Sequence, residues 1–135
     1  MTKSKQLLGL DVGTVRIGVA LGDTGIRIAV PQDYVEVNGN EVAAIAELAI
    51  GNDIDTIVVG YPRNQSGEAT QQTALVEEFA NKLADFDAHV VFQDESLTSV
   101  MAEQRLAGRR KAYTKGEIDS EAAAIILQDY MEQNL

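Results

Sequence analysis

Carboxylate side chains occupy three positions at which their type and sequence context could support chemistry. Asp11 ends the apolar run LLGLDVG, Asp94-Glu95 follows the apolar run HVVFQ, and Asp119 lies within the run GEIDSEAAAIIL. A charge inside a buried run costs several kcal/mol unless it is paired or binds a cation. Carboxylates from three separate elements could converge on hard divalent cations, which take oxygen ligands. We therefore predict a site for Mg2+ or Mn2+, with two ions about 4 Å apart when a phosphodiester substrate is bound.

Each carboxylate also has a purely structural explanation, which the sequence alone leaves open. Asp11 could accept hydrogen bonds from the backbone of the turn that follows it, as aspartate often does. Asp94-Glu95 could be a solvated pair in a loop. Asp119 could interact with the positive end of a helix dipole, where Thr114 and Glu117 could form a capping box.

The basic residues are concentrated in one short part of an otherwise acidic chain. The formal net charge is −10, which disfavours non-specific coating of nucleic acid because that binding depends on neutralising phosphates. Five of the eleven basic residues nevertheless lie between positions 105 and 115: Arg105, Arg109, Arg110, Lys111 and Lys115. This clustering predicts a focused phosphate-binding patch. The alternative is a solvated loop whose cations complement the end of a preceding helix.

Composition excludes several kinds of site and limits the size of the fold. The chain has no cysteine, which excludes disulfides, thiolate chemistry, iron–sulfur clusters and cysteine-based zinc sites. The lone histidine, His89, is interpreted as a residue at the start of a strand. At 135 residues we expect one domain spanning residues 1–135 and no second lobe. The first residues contain too few apolar side chains for a signal peptide or a membrane span, so we expect a cytoplasmic protein with no membrane partner.

Hydrophobic periodicity predicts the elements that position these residues. Three apolar runs separated by two turns are typical of an antiparallel meander, and the later segments alternate between helical and strand patterns. The predicted strands are Gln6–Val12, Arg16–Leu21, Ile26–Val30 (with Pro31 ending it), Asp55–Gly60 and His89–Phe92. The predicted helices follow Asn40, Ser66 and Thr98 as N-caps, and a last helix covers Glu117–Glu132. This order predicts an α/β fold with a five-stranded mixed sheet, a meander followed by parallel strands, flanked by helices.

Four ordered sequence blocks resemble the YqgF family of Holliday-junction-resolvase-like proteins. The blocks are LLGLDVGTVRIGVALGD, IVVGYPRNQSGE, VVFQDESLTS and IDSEAAAIIL, and the resemblance extends from Leu7 to about Tyr130. The first block is the most specific, since Asp11, Gly13, Arg16 and neighbouring small residues fall in the family's pattern. The resemblance implies a ribonuclease-H-like fold and the activity of a pre-16S rRNA nuclease.

The resemblance also implies roles for particular residues. Asp11, Glu95 and Asp119 are expected to be the catalytic, metal-binding carboxylates. Asn64 and Gly67 are expected to border the substrate groove.

Two positions depart from the family's pattern. Ser96 stands where the third block commonly has arginine, which removes a cation near the expected site. Tyr61 stands where an aliphatic residue is more usual. Neither change affects the three carboxylates.

The function predicted from these observations is a metal-dependent endonuclease that acts on structured nucleic acid. Precursor 16S ribosomal RNA is the favoured substrate, and Arg16, Asn64, Arg109, Arg110 and Lys111 are expected to contact it. One alternative is a resolvase of four-way DNA, which would need a dimer, whereas we expect a monomer or weak dimer. Another is a non-catalytic RNA-binding assembly factor. Its binding function should persist when Asp11 is replaced. A nucleotide-binding module resembling actin-like ATPases is disfavoured, because the chain is too short for the second lobe.

Overall fold

A mixed β-sheet with helices on both faces forms the framework of the protein. The computed structural model describes residues 4–62, 71–84, 88–95, 104–108 and 114–135. The strands are β1 (Gln6–Val12), β2 (Arg16–Asp23), β3 (Ile28–Pro31), β4 (Val35–Glu36), β5 (Ile54–Pro62) and β6 (His89–Glu95). The helices are α1 (Glu41–Gly51), α2 (Gln71–Leu83) and α3 (Lys115–Asn134), and residues 104–107 form one further helical turn. Each helix in the described ranges is too short or too polar to span a membrane.

The strand order confirms the predicted meander followed by parallel strands. The sheet runs β3-β2-β1-β5-β6, with β1 antiparallel to β2, β2 antiparallel to β3, and β1, β5 and β6 mutually parallel. The structure adds a sixth strand, because the two residues of β4 pair with the start of β2. A two-residue strand has no periodicity, so the sequence pattern could not predict it.

The two faces of the sheet carry separate apolar clusters. Side chains at alternate positions of β1, such as Leu8 and Leu10, pack with those of α1 and α2 on one face. Leu7 belongs to the cluster on the opposite face, which α3 covers with Ala123, Leu127 and other side chains. Even-numbered residues of β1 therefore face the α1–α2 layer, and odd-numbered residues face α3.

Glycines allow α3 to lie unusually close to β1 and β2. A Cβ atom added at Gly9 would lie 2.8 Å from the Leu127 Cβ, and one added at Gly18 would overlap the backbone carbonyl oxygen of Asp119. The consecutive alanines 122–124 are fully buried on the helix side of this contact. Small residues on both elements therefore bring the last helix close to the sheet.

Some element boundaries differ from the predicted ones. Strand β6 continues to Glu95, so Asp94 and Glu95 end the strand rather than follow it. Their backbones still pair in register with β5, which local polarity does not reveal. Helix α3 begins at Lys115, and Thr114 caps it by accepting a hydrogen bond from the Glu117 backbone N–H at 3.2 Å.

The other predicted N-caps have different outcomes. Asn40 does precede α1, but its side chain makes no capping hydrogen bond. The predicted caps Ser66 and Thr98 lie outside the described residues.

Candidate active site

Asp11 lies near the carboxyl end of β1 on the face that α3 covers. Its neighbours Leu10 and Val12 pack in the opposite, α1–α2 cluster, so the alternation of the strand directs Asp11 towards α3. The residue is half-buried, and its cross-strand partner in β2 is Gly18. A carboxylate thus faces the α3 side of the sheet beside a position that has no side chain.

Asp119 reaches the same place from the first turns of α3. The backbone carbonyl oxygen of Asp119 sits directly against Gly18, where any Cβ would overlap it. Because Gly18 is also the register partner of Asp11, one glycine is the common neighbour of two aspartates 108 positions apart in sequence. The structure therefore brings together two of the three predicted carboxylate residues.

Arg16 forms an ion pair with Asp119. The Arg16 Nε donates a hydrogen bond of 2.9 Å to Asp119 Oδ2, and the two side chains are 27% and 29% exposed. Arg16 precedes Gly18 by two residues, so it lies on the same face of β2. The sequence predicted Arg16 as a phosphate contact, and its pairing with a carboxylate was not predicted.

Glu95 occupies the last position of β6, two strands away from β1. Its register partner is Pro62 of β5. Position 95 lies four residues after Val91, which belongs to the α3-side cluster, so the two positions are on the same face of β6. Adjacent strands are about 4.8 Å apart, so β1 and β6 are separated by about 10 Å. The backbone register places the Glu95 position at the carboxyl edge of the sheet, on the same face as Asp11.

The available donor atoms suit a hard cation. Asp11 and Asp119 supply carboxylate oxygens, which match the ligand preference of Mg2+ and Mn2+. Among the described side chains, which do not include that of Glu95, no group of three Asp, Glu or His residues is arranged to hold a metal ion. The residues Asp11 and Asp119 both adjoin Gly18, and this arrangement is compatible with a metal site that Glu95 would complete.

The predicted substrate-contacting residues are only partly within the described structure. Asn64, Gly67, Ser96, Arg109, Arg110 and Lys111 lie outside the described residues. Arg105 is described, and its Nη1 is 3.3 Å from Glu121 Oε1 on α3, so it pairs within the protein. Tyr61 packs edge-to-face on Phe92, with ring centroids 5.0 Å apart, and its hydroxyl donates a hydrogen bond to Glu77.

Two polar residues that the sequence did not single out fix the surroundings of Asp11. The buried Ser120 Oγ accepts a hydrogen bond from the Val19 backbone N–H at 3.4 Å, which ties α3 to β2. Gln72 of α2 donates from Nε2 to the Val12 carbonyl oxygen at 2.6 Å, at the end of β1. A serine directly after Asp119, in the mostly apolar run IDSEAAAIIL, was an available signal for the first contact. Nothing in the sequence indicated the second.

Comparison with known proteins identifies close relatives over almost the entire chain. The family model described as "RuvX: Holliday junction resolvase" matches residues 5–133. A protein named "Putative pre-16S rRNA nuclease" from Chloroflexus aggregans is 43% identical over 131 residues, covering 93% of this chain and 92% of the relative. A relative of the same name from Synechocystis is 38% identical over 141 residues, covering 98% and 90% of the two chains.

Solved structures with a similar fold include two resolvases. The Thermus thermophilus RuvC structure in complex with a Holliday junction substrate superposes with a TM-score of 0.59 at 13% identity, covering 96% of both chains. The Fowlpox virus resolvase in complex with Holliday junction DNA gives a TM-score of 0.58 at 12% identity, covering 96% of this chain and 99% of that one. These similarities confirm the predicted fold class, and the family match confirms the resemblance seen in the sequence blocks. The chain belongs to the RuvX family of Holliday junction resolvase-like nucleases.

Proposed function

We propose that this protein is a metal-dependent endonuclease that cleaves structured nucleic acid, with precursor 16S ribosomal RNA as its substrate. The observation that carries the proposal is the convergence of Asp11 and Asp119 around Gly18. A relative that is 43% identical to this chain is named "Putative pre-16S rRNA nuclease", and this name supports the proposal. We further propose that residues 1–135 work as one nuclease domain in the cytoplasm, as a monomer or weak dimer.

The proposed metal ligands are Asp11, Glu95 and Asp119. Two divalent ions, Mg2+ or Mn2+, bound there with substrate would activate the attacking water and stabilise the leaving oxygen. The contribution of the protein is to fix carboxylates on three different elements: strand β1, the end of strand β6 and the start of helix α3. The close contact at Gly18 keeps Asp119 next to β2 and limits its freedom to move away from Asp11.

The proposed substrate contacts are Arg16, Asn64, Arg109, Arg110 and Lys111. A chain with a net charge of −10 repels a polyanion at long range, so local cations must offset this repulsion at the site. Contacts of this kind fix the position of a phosphate backbone without reading base sequence. Specificity for a ribosomal RNA precursor would then depend on the shape of the RNA at the cleavage position.

Branched DNA is the second candidate substrate, favoured by the folds of the solved resolvases. Both are described in complexes with Holliday junctions, and they superpose over almost the whole of this chain. Symmetrical resolution of a junction needs two active sites, so this alternative requires a dimer. A monomer that cleaves RNA and leaves junctions intact would exclude it.

The decisive experiment compares two substrates side by side in Mg2+. Purified protein is incubated with a 16S ribosomal RNA precursor and with a synthetic four-way DNA junction, each with and without a chelator. We expect cleavage of the RNA that disappears with chelator and in the Asp11→Asn and Asp119→Asn variants. Glu132→Gln is the matched control, because Glu132 is an exposed carboxylate near the far end of α3. Undiminished RNA cleavage in chelator, or by Asp11→Asn, would disprove the proposal.

A further inference from the structure

Arg16 uses only part of its hydrogen-bonding capacity in the contact with Asp119. The contact joins Arg16 Nε to Asp119 Oδ2. Within the described part of the chain, the two Nη groups of Arg16 and the Oδ1 atom of Asp119 have no hydrogen-bond or ion-pair partner. A guanidinium has five N–H donors in a rigid plane, so it can bind two anions along different edges.

The backbones of both residues are held firmly, which fixes the geometry of the pair. Arg16 opens β2, where it is the register partner of Glu36 and its carbonyl oxygen accepts a hydrogen bond from Gly13 N at 3.0 Å. Asp119 is packed against Gly18, and the next residue, Ser120, hydrogen-bonds the backbone of β2. The ion pair therefore orients the Asp119 carboxylate on a rigid support.

We propose that Arg16 is a positioning residue that links substrate phosphate to the metal ligand Asp119. Nε holds Oδ2 and leaves Oδ1 for the divalent ion, while the Nη groups bind a phosphate oxygen of the nucleic acid. The inference rests on the proposed role of Asp119 as a metal ligand and goes beyond the role of Arg16 as a phosphate contact. Partners that orient a ligating carboxylate in this way typically change metal affinity 10–100-fold when they are replaced.

The Arg16→Lys variant separates two effects of Arg16: orientation of the Asp119 carboxylate and positive charge near the phosphate. An ammonium group is a point charge without the planar fork, so Arg16→Lys keeps the attraction for phosphate but not the Nε contact in its present geometry. Arg16→Gln removes both. Arg105→Lys is the matched control, because Arg105 also pairs with a glutamate of α3 at 3.3 Å and has no proposed role in metal binding.

The first measurement is Mn2+ affinity of the free protein by calorimetry, without nucleic acid. We expect Arg16→Lys and Arg16→Gln to weaken Mn2+ binding by about tenfold or more, and Arg105→Lys to leave it unchanged. In an Asp119→Asn background the same substitutions should have no further effect, because the two residues act as a unit. Thermal unfolding of the metal-free variants checks that each is folded.

The outcomes separate failure of this inference from failure of the proposed function. If Asp119→Asn does not weaken Mn2+ binding, the proposed ligand role of Asp119 is wrong. If Asp119→Asn weakens it but both Arg16 variants bind normally, only the positioning role is wrong. Tighter Mn2+ binding in the Arg16 variants would show that Arg16 competes with the metal, which also overturns the inference.

The second measurement tests the phosphate contact with a fluorescent RNA hairpin in the presence of chelator. We expect Arg16→Gln to weaken binding and to reduce the slope of log affinity against log salt by about one, and Arg16→Lys to retain most of both. Equal affinity and an equal salt slope for the parent protein and Arg16→Gln would show that Arg16 does not bind a substrate phosphate.

Discussion

At the scale of single residues, the candidate site depends on a glycine, Gly18, at a point where any side chain would block the approach of α3. Gly18 is the register partner of Asp11 and is in direct contact with the Asp119 backbone, so its lack of a Cβ allows both aspartates to approach one point. In the sequence, Gly18 is one small residue in an apolar run, and the periodicity of that run indicates only a strand. Its importance follows from the approach of a helix that begins almost 100 residues later.

The first prediction is that Gly18→Ala disrupts both stability and metal binding. The added methyl group would overlap the Asp119 carbonyl oxygen, so α3 must move away from β2. Overpacking of this kind costs about 1–3 kcal/mol in the free energy of unfolding. Urea unfolding and Mn2+ titration of the same sample measure the two effects.

Gly51→Ala provides the control for this prediction. A Cβ at Gly51 would meet nothing within 4 Å, and the residue lies at the end of α1. We expect Gly51→Ala to leave metal affinity unchanged and not to destabilise the protein, because alanine is the better helix former. A Gly18→Ala protein as stable as Gly51→Ala, with normal Mn2+ affinity, would contradict the close packing of α3.

A second prediction at this scale concerns Asp23, away from the candidate site. The Gly25 backbone N–H, which donates to Asp23 Oδ1 at 2.7 Å, is the main cause of the lowered pKa of Asp23. Burial is the second-largest influence and raises the pKa, while hydrogen bonds from Gln6, Ile26 and Ser4 lower it further. A carboxyl whose pKa is lowered on folding stabilises the native state above its unfolded pKa. That contribution is lost as the pH falls through the lower, folded pKa.

Asp23→Asn tests the sign of this effect. We expect the variant to be less stable than the parent protein at pH 7, and the difference to shrink below the ordinary aspartate pKa of about 3.9. Unfolding curves at pH 7, 4 and 3 measure it. A stability difference that stays constant or grows towards pH 3 would show that the hydrogen bonds do not favour the ionised carboxyl.

At the scale of elements, the exposed edge of the sheet is protected by a side chain of α3. Strand β3 is an edge strand on which Ile28 and Val30 are 56% and 50% exposed. The Gln128 side-chain amide accepts from Ala29 N–H at 2.9 Å and donates to the Arg27 carbonyl oxygen at 2.9 Å. Gln128 therefore occupies backbone groups that could otherwise pair with a strand of another molecule.

We predict that Gln128→Met increases self-association through this edge. Methionine keeps the helix propensity and similar bulk but leaves the Ala29 N–H and the Arg27 C=O without the amide. Sedimentation at increasing protein concentration should show a larger weight-average mass, and a second substitution, Ile28→Lys, should reverse it. Gln104→Met, an exposed glutamine on another helical segment, serves as the control. A monomeric Gln128→Met protein at all concentrations would show that the edge needs no such protection.

Much of the element order, but less of the site, was predictable from the sequence. Short apolar runs bounded by turn residues predicted β1, β2 and the parallel strands, because these signals lie within a few neighbouring residues. The pairing of Arg16 with Asp119, 103 positions apart, could not be predicted in this way. It depends on which turn of α3 meets β2, and that is decided by packing at Gly18 rather than by local pattern.

At the scale of the whole molecule, charge has to be reconciled with a polyanionic substrate. The net charge of −10 opposes binding, while Arg109, Arg110 and Lys111 concentrate three positive charges in three consecutive positions. Neutralising a phosphate releases condensed counterions, so a localised basic cluster can bind nucleic acid even on an acidic protein. The position of the positive charges should then matter more than their sum.

The last prediction compares two triple variants with the same net charge. Replacing Arg109, Arg110 and Lys111 by glutamine should weaken RNA binding and lower the salt slope by about one for each phosphate that is no longer neutralised. Replacing Lys5, Arg27 and Lys82 by glutamine is the control; Lys5 Nζ lies 4.0 Å from Asp55 Oδ2, and Lys82 Nζ lies 3.9 Å from Glu78 Oε1. Fluorescence titrations of an RNA hairpin at two salt concentrations measure both variants. An equal loss of affinity in the two variants would mean that RNA responds to total charge and not to the cluster. Mn2+ affinity should stay unchanged in both variants, because neither Arg nor protonated Lys offers a lone pair to a metal ion.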